Sequence, residues 1–154
     1  MAITAAAMRG LFAEVRSRAE ALSVFSSVNG HEPRNAPGSA LTFAFWGEEI
    51  KAVTSSGLAS TTCVIMLGGR IYHSALGKPE EDTDPAVMSA ACSVMAACSA
   101  GFTLDGEVRD VDLLGQFGTP LSAHLAWLTQ EGKQFRTAEM SIPLVVDDMF
   151  PQAA

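Results

Sequence analysis

Three histidines, His31, His73 and His124, and three cysteines, Cys63, Cys92 and Cys98, are the side chains best suited to hold a transition metal. A zinc site draws its ligands from short, repeated spacings, and none is present: the cysteines form no CxxC pair, and the histidines fall in a loop and two strands. His31-Glu32 lacks the second histidine at helical spacing that a metalloprotease helix supplies. Gly77-Lys78 follows a strand, but Pro79 stands where a phosphate-binding loop needs Ser or Thr. No serine sits in a GxSxG elbow, and no cysteine has an identifiable neighbouring base. Asp105, Glu107, Asp110 and Asp112 gather enough carboxylates for acid-base work. Strand alternation, however, puts Asp110 and Asp112 on one exposed face, where solvation or interface contacts are the expectation. The sequence leads us to expect neither catalytic centre nor metal nor cofactor.

The elements that would position these residues belong to one domain. A chain of 154 residues with 48% hydrophobic content fills one core and is short for two. Ten basic against seventeen acidic residues give a net charge of -7, without the basic excess that neutralises nucleic-acid phosphates. Such a chain can surround DNA without gripping it. The odd cysteine count argues against a disulfide framework and for a reducing compartment, with the three thiols read as small buried hydrophobes. Met1 to Ala7 lack the basic start of a secretion signal, and no window approaches the roughly 20 apolar residues that cross a bilayer. No membrane association is expected.

Thr4 is placed to cap a first helix, bounded at 1–24, whose stripe is Met8, Leu11, Phe12, Val15, Ala19 and Leu22. Residues 29–38 carry turn formers and two prolines and read as an extended loop. Leu41, Phe43 and Phe45 alternate as in a half-buried strand within 40–53. A second strand runs from Thr61 to His73, antiparallel to the first, with Gly68-Gly69 suggesting a bulge or bend. The acidic run Glu80 to Asp84 before Pro85 suits a helix start. That helix extends to about Ala100 and buries Val87, Ala91, Val94, Met95, Cys98 and, beyond its end, Phe102. Strands follow at 108–114, 124–130 and 135–146, the last two joined by a hairpin at Glu131-Gly132-Lys133, and Pro143 implies an edge or irregular position. The predicted fold is α+β: a mainly antiparallel sheet with two principal helices packed on it, and a loose C-terminal tail at 147–154. Trp46 and Trp127 are expected in the core, Phe150 on the tail; all three are also candidate interface anchors.

Several phrases resemble tail terminator proteins of long-tailed actinobacterial bacteriophages. They are Val28-Asn29-Gly30-His31-Glu32-Pro33 with Asn35-Ala36-Pro37-Gly38, then Ser56 to Thr61, then Val108-Arg109-Asp110-Val111-Asp112-Leu113-Leu114-Gly115. The last and strongest is Gly132-Lys133-Gln134-Phe135-Arg136 through Ile142-Pro143-Leu144-Val145-Val146-Asp147-Asp148. The resemblance spans most of the chain after the first helix and contains no catalytic fingerprint. It implies a non-enzymatic virion protein, assembled in the host cytoplasm and placed at the head-proximal end of the tail. There a homo-hexameric ring would cap the tail tube, stop its polymerisation and dock to a head-side connector or neck protein, with genomic DNA passing through the lumen without specific binding. His31, Glu32, Arg34, Asn35, Arg109, Asp110, Arg136 and Phe150 are the candidate contact residues, Arg109 and Arg136 through interfacial charge pairs. The rival expectations are another neck or tail-completion protein and, in a different class, a small-molecule-binding α+β domain.

Overall fold

In the computed structural model, residues 4–38, 40–53, 60–76, 79–100 and 108–151 are described, and all statements below concern these. The elements are α1 (Ala5–Ala21), β1 (Ser27–Asn29), β2 (Thr42–Ala52), β3 (Ser60–Ser74), α2 (Thr83–Ala100), β4 (Asp110–Val111), β5 (Ser122–Gln130) and β6 (Lys133–Pro151). They form an α+β domain: one mixed sheet, curled into a half-barrel, with two helices. The sheet order is β1-β2-β3-β6, with β4 and β5 sharing the outer side of β6; β1 and β2 are parallel and every other pairing is antiparallel.

Alternation along the two longest strands decides which face the helices cover. Cys63, Ile65, Leu67 and Ile71 of β3 and Ala138, Met140, Ile142, Leu144 and Val146 of β6 join Leu11, Val15 and Ala19 of α1 and Val87, Ala90, Ala91 and Val94 of α2 in the main core. Thr4 accepts the Ala7 N–H at 3.1 Å, the cap its position predicted. An aromatic ladder then ties α1 and the following turn to β2: Phe12 to Phe45 at 5.5 Å, Phe25 to Phe43 at 5.3 Å. Along α2, alanine and serine give the backbone a close approach to the sheet. Its Cys92 is exposed and Cys98 half-buried, so only Cys63 is the fully buried thiol expected of all three.

Gly68-Gly69 forms no bulge. The irregularities lie elsewhere, across from it in β2 between Gly47 and Glu49, and in β3 between Thr61 and Cys63. The glycines are there for space: a Cβ at Gly68 would collide with the Glu48 carboxylate and come within 2.8 Å of Trp46 Nε1, and one at Gly69 would sit 3.1 Å from Phe43 Cε1.

Glu131-Gly132 is a two-residue turn with φ of 52° and 75°, the mirror-image geometry that matches the twist of a hairpin and favours glycine second. Pro143 is in the middle of the sheet, not at its edge. Its carbonyl accepts from Asp112 on the outer side of β6, so its nitrogen faces the break between β5, which ends opposite Ser141, and β4, which begins opposite Val145. No bond to β3 is lost.

Two expectations are corrected. The strand sought at 108–114 shrinks to Asp110–Val111, because the Asp112 carboxylate accepts the N–H groups of Gln116 at 2.7 Å and Phe117 at 2.9 Å and bends the chain into a turn. The tail placed at 147–154 is not loose through Pro151. β6 continues against β3 that far, and Asp147 accepts from Thr62 Oγ1 at 2.8 Å. Residues 152–154, like Phe102, Asp105 and Glu107, lie outside the described residues.

Replacing Gly68 by alanine is expected to lower stability by about 1–3 kcal/mol, the usual cost of overpacking. Denaturant unfolding would show it as a lower midpoint at unchanged slope.

Candidate assembly surfaces

The sheet face turned away from the helices is where charged chemistry collects, and it is built from residues two apart on β3 and β6. Arg70 and Tyr72 share that face with Thr137 and Glu139, and Arg70 and Glu139 are directly paired in the ladder. Arg70 Nε donates to Glu139 at 2.7 Å and Nη1 to the Tyr72 hydroxyl at 3.0 Å, while the guanidinium lies 5.1 Å from the centre of the Trp46 ring. Burial opposes the charge on Arg70, but the hydrogen bonds to Glu139 and Tyr72 outweigh it and raise its pKa. Burial likewise raises the Tyr72 hydroxyl. Tyr72 meets Phe135 edge-on at 5.7 Å, and with Ala44 these two rings make a second, smaller core.

Onto this core folds the loop of residues 30–38. Glu32 reaches Arg70 at 3.5 Å, Gln130 Nε2 donates to the Pro33 carbonyl at 3.3 Å, and the Ala36 N–H donates to Glu131 at 3.0 Å. The loop expected to be extended is therefore strapped to the β5–β6 hairpin. His31, Arg34 and Asn35 are exposed on it and line an open hollow of about 550 Å3.

The other candidate residues lie apart. Arg109 sits at the far end of the sheet with Asp110 at 3.7 Å and Asp147 at 3.2 Å. From Thr137 to Val145 along β6 is eight residues, about 26 Å of strand, and that separates this group from the loop. Burial raises the Asp110 carboxyl, Arg109 opposing and Asp112 and Asp147 adding to the rise. Asp112 is buried at 7% exposure, not on the solvent face expected for it, because both of its oxygens close the turn described above. Arg136 is on the helix-bearing face, where it donates to Asp84 of α2 at 2.8 Å and stacks 4.6 Å from the Trp127 ring. Phe150 pairs with Thr61 through the backbone of β6, and its side chain is outside the described set. The eight candidate residues thus form three separate groups, with Phe150 near the second.

Neither tryptophan is in the main core. Trp46 is half-buried beside Arg70, and Trp127 is 58% exposed on β5. Ile50 at 57%, Leu76 at 85%, Met88 at 54% and Leu114 at 93% are the other large apolar side chains most open to solvent.

The Arg70 cluster went unread in the sequence. Its signal was the Arg-x-Tyr spacing on a strand, but only the β3–β6 register supplies Glu139. Among the described residues no three His, Cys, Asp or Glu side chains gather as a metal site requires. Burial pushes the Cys98 thiol up to about 11, against the pull of Arg18, so it stays protonated at neutral pH. The void beside it, among Val15, Ala19, Val94 and Ile142, measures about 20 Å3, room for one water at most. No helix among the described residues is long and apolar enough to cross a membrane. No protein-family model matches the chain, and no curated protein matches it.

Glu139→Gln is expected to cost about 1.5–3 kcal/mol, because it removes a charge-assisted bond from a largely covered arginine, and to speed amide exchange in the loop of residues 30–38. Asp84, whose carboxyl the Arg136 hydrogen bond holds below the usual 3.8 although burial opposes, contributes stability that is present above that value and lost as pH falls through its lower folded pKa. Asp84→Asn should therefore unfold more easily than the parent at neutral pH, and thermal melts of the two should converge in strong acid.

Proposed function

We propose that this chain is a structural virion protein of a long-tailed bacteriophage, a tail terminator whose six-subunit ring caps the tail tube, stops its growth and receives the head-side connector. The observation that carries this reading is the pairing of exposed apolar side chains with internally spent charges. Ile50, Leu76, Met88, Leu114 and Trp127 face solvent, whereas Arg70, Arg109 and Arg136 are bound to carboxylates of the same chain. Large apolar side chains left at the surface suit burial against other protein subunits. A net charge of -7, with its strongest cations neutralised, suits a lumen through which DNA slides without being held. The whole-chain resemblance in the sequence supplies the particular assembly.

A neck or tail-completion protein would share these surface properties, and tail length separates the two roles. Phage tails assembled without this protein are expected to carry overlong, variable tubes in electron micrographs. Tubes of normal length that fail to join heads would overturn the terminator role in favour of a neck protein. The hollow lined by His31, Arg34 and Asn35 favours a second reading, a module that binds a small polar ligand. Light scattering decides between the classes. A mass of six subunits, alone or with tail tube added, supports the ring; a monomer under both conditions supports the module.

A further inference from the structure

The sheet ends in two unlike rims, and the register places them level with each other. Ile50 of β2 pairs with Ile65 of β3, Ile65 with Leu144 of β6, and Leu144 with Val111 of β4, one line running straight across the sheet. The next line joins Lys51, Val64, Val145 and Asp110. β1 covers only Thr42 to Ala44 of β2, so among the described residues no strand covers the outer side of β2 at Ile50 and Lys51.

At the β2 rim an open groove of about 390 Å3 runs between α1 and the strand, mainly apolar through Met8, Phe12, Gly47, Ile50 and Ile65, with Glu48 and Glu49 also lining it. At the β4 rim Leu114 stands three residues beyond Val111 with 93% of its surface exposed. It is carried on the turn that the Asp112 carboxylate closes, so it is held out by a braced segment.

We propose that the two rims meet between copies of this chain: Leu114 of one subunit enters the Met8–Phe12–Ile50 groove of the next. This rests on the ring reading above and supplies its subunit contact. Three features favour a second copy as the occupant. The rims match in kind, with an aliphatic knob opposite a mainly apolar groove. They match in direction, because each step from β2 through β3 and β6 to β4 reverses the chain, so a neighbour's β4 arrives antiparallel to β2. They match in level, so the neighbour is displaced across the strands and not along them. Two different patches make a heterologous contact, and one that repeats by rotation without rise closes into a ring.

The full-length chain, with tail tube present if the ring needs it, tests this by light scattering of Leu114→Asp and Ile50→Asp. Circular dichroism serves as the control for folding, and both residues are surface side chains. Each variant is expected to weaken assembly about tenfold or more, as loss of an anchor side chain does. In a Cys92→Ser background, a short bis-maleimide should link Leu114→Cys protein to Ile50→Cys protein when the two are mixed, and neither with itself. A parent ring that all these variants leave intact would move the contact elsewhere and keep the ring. Self-linking of either cysteine variant, or a two-subunit mass, would replace the head-to-tail contact with a symmetric one. A parent that stays monomeric with the tube would overturn ring and contact together.

Discussion

The antiparallel ladder between β3 and β6 is the constraint on which the rest of the molecule depends. It runs from Ser60 opposite Pro151 to Ser74 opposite Phe135, and every other strand is added to one of its two outer sides. Its register is fixed by chemistry on both faces. A slip of β6 by one residue against β3 would carry Glu139 under the helices, away from Arg70, and turn Ala138, Ile142 and Leu144 out of the core. Burying that carboxylate without its arginine while exposing aliphatic side chains would cost several kcal/mol, comparable with the whole stability of a domain this size. Both helices can therefore be rich in small residues and still find a defined seat.

The opposite face is made by a different principle. There the sheet carries an arginine that burial would disfavour, and the chain surrounds it with a carboxylate, a phenol and an indole, then lays the Glu32 loop across it. Such a network contributes more to specifying one arrangement than to net stability, since removing ions from water consumes much of what their attraction returns. It also fixes where the loop lies relative to the hairpin. Trp46 and Glu48, whose side chains need the space left by Gly68, extend this network towards the β2 rim.

Charge that is satisfied inside the subunit is unavailable to a partner, and this bears on the proposed assembly. Arg109 and Arg136, expected from the sequence to bridge subunits, are engaged with Asp147 and Asp84 of their own chain. What stays open at the rims is mainly aliphatic or aromatic. A ring joined by such contacts would hold through shape and burial and would be less sensitive to salt than one joined by arginines.

Parts whose signal is local could be read directly from the order of residues. Periodicity marked α1 and α2 with their buried faces, Thr4 marked the cap, alternation marked β2, β3 and the β5–β6 hairpin, and together they gave the α+β class. Each of these depends on residues within a few positions of one another, where backbone geometry alone sets the pattern. Whatever required two distant segments to meet was set by folding. Glu139 beside Arg70, the strap from Glu32 to the sheet, the role of Gly68, the turn closed by Asp112, the pairing of β6 through Pro151 and the level alignment of Ile50 with Val111 all follow from register between strands. Exposure was hidden for the same reason: Trp127, expected in the core, becomes surface because β5 is a strand at which the sheet stops.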